Sequence, residues 1–106
     1  MADTNDVRII GNVGNDPSEY EGNGFKVASM SVATKHSWKG RDGEWNERTD
    51  WHRVSAFGKL AEWCIGTLRK GNRVRVEGRL QTDVVEDKYG KKNYYTKIVA
   101  RKVELQ

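Results

Sequence analysis

Apolar and polar residues alternate along most of this chain, which is the period of β-strands with one buried face. Near the N-terminus, Val7, Ile9 and Val13 share one parity. Gly11 between them indicates a bulge or a close backbone approach. Residues 15–17 (Asn-Asp-Pro) then predict a turn. The predicted strands cover residues 5–14, 25–35, the first part of 49–60, 72–84 and 93–103.

One stretch departs from this alternation and has helical spacing instead. It opens at Gly58, and Gly71 lies where such a helix is expected to end. Trp63, three residues after Leu60, is expected to pack in the core. The apolar residues at helical spacing are Leu60, Ala61, Cys64, Ile65 and Leu68.

The segment HSWKGRDGEWNERT, residues 36–49, predicts a long hairpin arm rather than a tight turn. Gly40 and Gly43 lie between charged residues, and the basic tip carries Trp38 and Trp45. Lone loop aromatics are weak indicators, so packing at the tip and contact with a nucleic acid remain equal alternatives for Trp45.

Five strands with one helix between the third and the fourth is the order of the OB-fold, a partly open barrel that binds oligonucleotides on its face and loops. We therefore predict an all-β, five-stranded OB-fold barrel with that single helix. The 106 residues suffice for one core with little to spare for a second, so a single domain over residues 1–106 is expected.

Composition and charge narrow the class of protein. Four Trp, four Tyr and two Phe are too many for a disordered tail, and the net charge of +4 suits a polyanionic partner. The single cysteine, Cys64, cannot form an internal disulfide, and no Cys/His cluster has the spacing of a zinc site. The acidic N-terminus has no apolar signal region and no run approaches a membrane span, so a cytoplasmic protein is expected.

The chemistry of the central strand is unusual for a plain core strand. One parity carries His52, Val54 and Ala56, which is an ordinary inner face. The other parity carries two aromatics and a cation, and the bases of a single-stranded nucleic acid stack on such a surface. Its residues are Trp51, Arg53, Ser55 and Phe57.

Basic residues accompany these aromatics along the chain. Any one of them alone could belong to a solvated surface, but together with interleaved aromatics they predict a groove that follows phosphates. The candidate phosphate contacts are Lys35, Lys39, Arg53, Lys59, Lys70, Arg73, Arg75 and Arg79.

Catalysis is not expected from this sequence. Asp50 and His52 are two residues apart in a strand and could form a general base held by a carboxylate. No nucleophile or metal triad accompanies them, His36 is isolated in the arm, and Cys64 lies at core spacing. We therefore predict a protein that is not an enzyme and needs no cofactor or metal.

Four motifs make the chain closely resemble the bacterial-type single-stranded DNA-binding proteins. The resemblance implies an OB-fold subunit of a homotetramer that coats single-stranded DNA without sequence preference during replication, recombination and repair, at the nucleoid. The motifs are N-x-V-x-x-x-G-N-x-G-x-D-P over residues 5–17, T-[DE]-W-H-R-V with F-G-K-L-A-E over 49–62, L-x-K-G over 68–71 and V-x-V-E-G-x-L-x-T over 74–82.

The resemblance also implies roles for particular residues. Carried over by local context, the stacking aromatics are Trp38, Trp51 and Phe57, and His52 lies where the family keeps a histidine near the subunit interface. An apolar first strand blunted only by Arg8 would pair with a second copy, so Val7 and Ile9 are expected at that interface with His52. Tyr94 is near a position that is aromatic in the family, but one of Tyr94 and Tyr95 is expected in the core.

Two departures from the family pattern change the expected function. Where many members have a basic pair and a Trp, this chain has Asp83, Val84 and Val85, so one stacking site is expected to be missing. The sequence stops at Gln106 without a flexible linker and acidic tip, so recruitment of partner proteins through such a tail is not expected. The chain is either a trimmed form or a short phage, plasmid or organellar-type variant.

Other classes of function remain open at this stage. The main alternative is an OB-fold adaptor of the replication-restart type that bridges partner proteins, although a bridge would not need three exposed aromatics. RNA is an alternative ligand, since stacking is nearly blind to the sugar and only contacts to the 2′-OH separate RNA from DNA.

Overall fold

The computed structural model describes residues 2–106, and its strands form a closed barrel. The sheet order is β1-β5-β6-β4-β3-β2, and a further pairing of β1 with β3 closes five of the strands on themselves. This confirms the predicted OB-fold barrel with its helix between the third and fourth barrel strands. The elements are β1 (Val7–Val13), β2 (Ser18–Gly22), β3 (Phe25–Lys39), β4 (Trp45–Phe57), α1 (Gly58–Thr67), β5 (Arg73–Glu86) and β6 (Lys92–Leu105).

The barrel closes where β1 crosses β3, and Gly11 permits this crossing. Asn12 pairs with Ala33 and Val13 with Val32, next to Gly11. A Cβ atom on Gly11 would lie 2.2 Å from the carbonyl oxygen of Ala33, so only glycine allows the two backbones to come this close. Gly11 stays in regular register with β5, so the predicted close approach is correct and there is no bulge at this residue.

The core lies inside the barrel and under α1. Alternate residues of β3, β4 and β5 point inward, as the sequence pattern predicts, and α1 covers the barrel with Ala61 and Cys64. Burial of these side chains is the main contribution to the stability of the barrel. The fully buried side chains are led by Met30, Leu68, Val13, Val32, Val54, Val74, Val76 and Cys64.

The sequence pattern missed one strand and shortened four others. β2 (Ser18–Gly22) is exposed almost throughout and has no apolar alternation, so it has no signal of a buried face. It is held by pairing with the start of β3 across a turn in which Asn23 and Gly24 have positive φ angles. β3 and β4 extend past the predicted bounds into the hairpin arm, and the end of β5 and the start of β6 extend into a second hairpin, where no core imposes a pattern. β6 also continues to Leu105, which pairs with Val74.

The helix ends earlier than Gly71, which corrects the predicted boundary. Its last residue is Thr67, and the N–H of Leu68 donates the closing hydrogen bond to the oxygen of Cys64. Gly71, at a φ of +95°, belongs to the turn that leads into β5. The prediction that Trp63 packs in the core was also wrong, since its side chain is 38% exposed and lies outside the core cluster.

The predicted hairpin arm is formed by the outer halves of β3 and β4, with Lys39 paired to Trp45 at its end. A second hairpin, formed by β5 and β6, projects beyond the barrel in the same way. Tyr94 and Tyr95 lie on this second hairpin, and both are exposed. The expectation that one of them is a core residue was therefore wrong, because both faces of a projecting hairpin meet solvent.

Candidate nucleic-acid interface

A groove of about 650 Å³ opens beside Trp51, between the end of β1, the middle of β3 and the start of β5. We call it the Trp51 groove. It brings together four of the predicted contacts from three distant parts of the chain, namely Lys35, Trp51, Lys70 and Arg73. Its lining consists of residues 10–14, 33–35, 49, 51, 70, 71 and 73.

The Trp51 ring lies against backbone rather than in the core. A Cβ atom on Gly14 would lie 2.3 Å from Cζ3 of Trp51, so the ring fits there only because Gly14 has no side chain. Although it rests on Gly14, the Trp51 side chain is still 64% exposed. Part of the ring is therefore free to take a stacked base, which is what a stacking platform requires.

Three cations line the Trp51 groove together with the Trp51 ring, and no Asp or Glu lines it within residues 2–106. The Arg73 guanidinium donates a hydrogen bond to Asn12 Oδ1 at 2.9 Å, which orients it on β5. The backbone N–H of Lys70 donates to Asp16 Oδ1 at 2.8 Å, so the turn before β5 is fixed while the Lys70 ammonium stays available. Lys35 Nζ is 3.9 Å from Glu47, an exposed and weak pair. The groove therefore has the charge that a phosphate backbone requires.

The outer face of β4 continues from Trp51 to Arg53 and Phe57, as the alternation predicts. Residues directly opposite each other in an antiparallel pair share a face. Lys35 pairs with Thr49 and Lys39 with Trp45, so both lysines lie on the same face of the ribbon as Trp51. Of the predicted outer residues, only Ser55 is buried.

Trp38 lies on the other face of the β3–β4 ribbon. It pairs with Asn46, whose parity is opposite to that of Trp51. Its ring stacks on that of His36, with centroids 5.7 Å apart and an interplanar angle of 20°. His36 looked isolated in the sequence, but its ring is in contact with Trp38. The three predicted aromatics therefore do not lie on one face.

Phe57 forms an aromatic pair that the sequence pattern did not indicate. Its ring meets that of Phe25 edge to face, with centroids 5.9 Å apart, and both rings are partly exposed. Lys59 lies beside Phe25 in a shallow depression at the start of α1. Phe25 begins β3 after a glycine turn, and only the pairing of β3 with β4 brings it to Phe57.

A second groove, of about 220 Å³, lies farther along the outer face of β4. We call it the Tyr groove, after Tyr20 and Tyr95, which sequence reasoning did not select. A depression of about 120 Å³ separates the two grooves and shares Trp51 with the first and Arg53 with the second. The lining of the Tyr groove is Tyr20, Ser29, Arg53, Ser55, Asp83, Val85, Tyr95, Thr96 and Lys97.

Asp83 brings a carboxylate into the Tyr groove. Gln81 Nε2 donates a hydrogen bond to it at 2.9 Å, and Lys97 Nζ is 3.4 Å away. The hydrogen bond from Gln81 is the largest cause that holds the pKa of Asp83 below its ordinary value, and Lys97 lowers it further. The carboxylate is therefore ionised at neutral pH.

Two of the predicted cations on β5 are engaged within the protein. Arg75 forms an ion pair with Glu77 at 3.6 Å, and its buried Nε has no hydrogen-bond partner within residues 2–106. Arg79 is exposed and donates to Gln81 at 3.2 Å. Neither residue lines the Trp51 groove or the Tyr groove, in contrast to Arg73.

The predicted subunit-interface residues have mixed surroundings. Val7 and Ile9 are partly buried against the core of their own barrel. β1 pairs with β5 over Val7 to Asn12 but with β3 only at Asn12 and Val13, so most of its second edge is unpaired within residues 2–106. His52 is half-buried and lies 2.8 Å from the Thr34 hydroxyl.

The groups that could support catalysis are engaged elsewhere or buried. Asp50 accepts a hydrogen bond from Arg48 at 2.9 Å, whereas His52 bonds Thr34, so the possible carboxylate–histidine pair is not formed. Burial raises the pKa of the Cys64 thiol to about 11, which leaves it protonated and inert. Within residues 2–106, no three His, Cys, Asp or Glu side chains are grouped to hold a metal ion.

In the part of the chain that the structure describes, the helix has ten residues and is too short to cross a membrane.

Known proteins resemble this chain in both sequence and structure. Single-stranded DNA-binding protein 1 of Chlorobaculum tepidum is 44% identical over 103 residues, which are 95% of this chain and 64% of that protein. The chain therefore spans slightly less than two thirds of that relative's length. A solved structure described as the Plasmodium falciparum SSB complex with ssDNA matches with a TM-score of 0.86 and 32% identity, covering 99% of this chain and 95% of that one.

The model of the single-strand binding protein family matches residues 4–106, which is nearly the whole chain and includes both grooves. The sequence motifs, the closed barrel and these similarities all indicate the same family. The chain therefore belongs to the single-strand binding protein family.

Proposed function

We propose that this chain binds single-stranded DNA without sequence preference and protects it during replication, recombination and repair. The observation that carries the proposal is the Trp51 groove, which is lined by an exposed indole and three cations and, within residues 2–106, by no carboxylate. Stacking on the indole needs only a base with a free π-face, and the cations need only phosphates, so neither interaction reads sequence. The binding unit is a single domain over residues 1–106.

The mechanism is capture of an unpaired strand along the outer face of β4. Bases stack on Trp51, and Lys35, Lys70 and Arg73 neutralise the neighbouring phosphates. Phe57 and Lys59 continue the contact at the start of α1, and Lys39 extends it onto the arm on the same face as Trp51. Trp38 meets the strand only where the strand passes around the arm to its other face. No bond is made or broken, so the protein acts as a binding module rather than an enzyme.

A role as an adaptor that only bridges proteins has less support. Such a protein would have no need for a large exposed indole that lies against Gly14 in a groove lined by three cations. Strand protection also predicts where the protein acts, which is on the DNA in the cytoplasm of the cell.

A homo-oligomer, expected to be a tetramer, is part of the same proposal. The unpaired edge of β1 supports it, because an exposed strand edge pairs readily with a second copy. Several barrels joined in this way would hold one strand more tightly, since each bound site raises the effective concentration of the next.

A fluorescence titration tests the binding proposal. Adding oligo-dT should quench Trp emission, and the affinity should fall with salt with a log–log slope of roughly −0.7 per phosphate neutralised. Duplex DNA of the same length is the control and should bind far more weakly, because its bases already stack on one another. Equal affinity for duplex and single strand at matched salt would contradict the stacking mechanism.

A further inference from the structure

We propose that the Tyr groove is a second base-binding subsite, in which Tyr20 and Tyr95 take one planar base and Arg53 holds its phosphate. This inference rests on the proposed function and identifies a contact of the bound strand that lies beyond Trp51.

The sheet topology forms the Tyr groove from two walls and a floor. In the strand order, β6 and β2 flank the central pair of β4 and β3. Ser55 and Ser29 come from that central pair and give a floor of small side chains. Tyr95 comes from β6 and Tyr20 from β2, one on each side. A groove with aromatic sides and a floor of small residues suits a flat ring.

Both tyrosines are available for contact. The Tyr20 side chain is 51% exposed and that of Tyr95 is 56% exposed, although both line a groove. The volume of about 220 Å³ is below the roughly 300–1,000 Å³ of pockets that enclose a drug-sized ligand, so it suits one base rather than a whole nucleotide. Any base fits by stacking, because each has a π-face.

The charges of the Tyr groove favour a phosphate at one position. No carboxylate within residues 2–106 is within ion-pair distance of the Arg53 guanidinium. Lys97 is already paired with Asp83, so Arg53 is the cation left for the strand. Its planar guanidinium can bind two phosphate oxygens at once.

The Tyr groove is continuous with the Trp51 groove, so one strand can occupy both. The depression between them is lined by Trp51, Arg53, Thr96 and Lys97, of which the first belongs to one groove and the others to the second. Trp51 and Arg53 are two residues apart on β4, or about 7 Å at the rise of a strand. Neighbouring nucleotides of an extended strand can span such a separation.

Leucine substitutions test the Tyr groove. Tyr20→Leu and Tyr95→Leu should each weaken binding of an oligo-dT of about 16 nucleotides by about tenfold, within the range for loss of one base–aromatic stack. Tyr95→Phe should bind like the wild type, because the π-face is kept. Unchanged melting temperatures should accompany these results, since both side chains are exposed.

Tyr94→Leu is the matched control. Tyr94 is the neighbouring residue on β6, is also exposed (66%, against 56% for Tyr95), and points to the opposite face of the hairpin, where it pairs with Val84. It should bind oligo-dT like the wild type. Equal losses for Tyr94→Leu and Tyr95→Leu would overturn the subsite, because the effect would then belong to the hairpin as a whole.

Photocrosslinking provides a second measurement, because tyrosines with only a structural role would not crosslink to the bound DNA. Irradiation of bound oligo-dT carrying 5-iodouracil should crosslink Tyr20 or Tyr95, and peptide mapping should find little crosslinking at Tyr94. If Trp51→Leu weakens binding while Tyr20→Leu and Tyr95→Leu bind normally, and the wild type shows no crosslink at Tyr20 or Tyr95, the subsite is refuted and the proposed function stands. If the wild type fails to bind oligo-dT, both are refuted.

Discussion

At the scale of single residues, the side chain of Trp51 is the main stacking surface proposed for DNA. Its ring rests on Gly14 and contributes little to the core, because the core lies on the opposite parity of β4. Exposed aromatic surface of this kind is costly in water and is kept where a ligand covers it. Trp51 is therefore expected to matter for binding and not for stability.

Trp51→Ala should weaken binding to oligo-dT by about 1–3 kcal/mol, the range for one base–aromatic stack. The free energy of unfolding should change by no more than about 0.5 kcal/mol, as for exposed substitutions generally. Fluorescence titration and urea denaturation measure the two effects. Trp63→Ala is the control, because Trp63 lies on α1 and lines neither groove. Normal binding with early unfolding of Trp51→Ala would show that Trp51 is a core residue.

Asp83→Asn should bind single-stranded DNA more tightly than the wild type at pH 7. The hydrogen bond from Gln81 and the charge of Lys97 lower the pKa of Asp83, so its carboxylate is ionised at neutral pH and repels phosphates. The substitution removes that charge and frees Lys97 from its ion pair. Binding isotherms measured down the pH scale should show the gain disappearing below the ordinary Asp pKa of about 3.9, as the wild-type carboxylate takes up its own proton. An unchanged or weaker affinity at pH 7 would contradict this account.

At the scale of elements, the crossing of β1 and β3 closes the barrel. This crossing requires glycine at position 11, because any side chain there would clash with the backbone of Ala33. The two strands are paired by Asn12 with Ala33 and Val13 with Val32. Because few pairs join them, a local separation of their backbones would open the barrel at this seam. The same crossing forms one wall of the Trp51 groove.

Gly11→Ala should destabilise the protein by about 1–3 kcal/mol, the usual cost of overpacking a tight contact. The new Cβ atom would lie 2.2 Å from the oxygen of Ala33, which is backbone and cannot turn aside. Gly66→Ala is the matched control, since a Cβ atom there has nothing within 4 Å and alanine favours a helix. Urea denaturation should show opposite signs for the two variants. Equal stability of Gly11→Ala and wild type would mean that β1 and β3 are not in close contact.

At the scale of the whole molecule, the proposed assembly depends on the open edge of β1. Val7 and Ile9 pack partly on their own barrel, so a partner would pair mainly with the free backbone edge of β1. His52 is half-buried, and its Nε2 lies 2.8 Å from the Thr34 hydroxyl.

Sedimentation equilibrium should show a species near four times the subunit mass of 12.1 kDa. His52→Tyr should shift it toward monomer at low concentration, because the bulkier ring disturbs the region next to the proposed contact. Thr49→Val, on the outer face of the same strand, is a control that should remain assembled. A strictly monomeric wild type at micromolar concentration that still binds long oligo-dT tightly would refute assembly and leave stacking intact.

The sequence alone determined the fold and the inner and outer faces of the central strand. The inward positions of β4, such as Val54 and Ala56, follow from alternation, because successive side chains of a strand point to opposite faces and the apolar face is buried away from water. The helix, with Cys64 buried on one side, follows from its spacing in the same way. Trp51 and Arg53 on the outer face were predicted for this reason.

Tertiary structure decided which surface residues meet. Trp38 looks equivalent to Trp51 in the sequence, but the register of the β3–β4 hairpin turns it to the opposite face and against His36. Trp63 is three residues after Leu60, but the buried side of α1 runs through Ala61 and Cys64 and leaves the Trp63 side chain outside the core.

The grooves themselves could be found only in three dimensions. Gly14, Trp51 and Lys70 meet because β1 closes on β3 and the turn after α1 returns to the same edge. Tyr20 was not selected because the polar strand β2 has no buried face and exists only through its pairing with β3. Alternation of apolar and polar residues indicates which side chains contact the core, so the fold was predictable. Contacts among side chains on the outer face leave no periodic pattern in the sequence. The two grooves therefore could not be predicted.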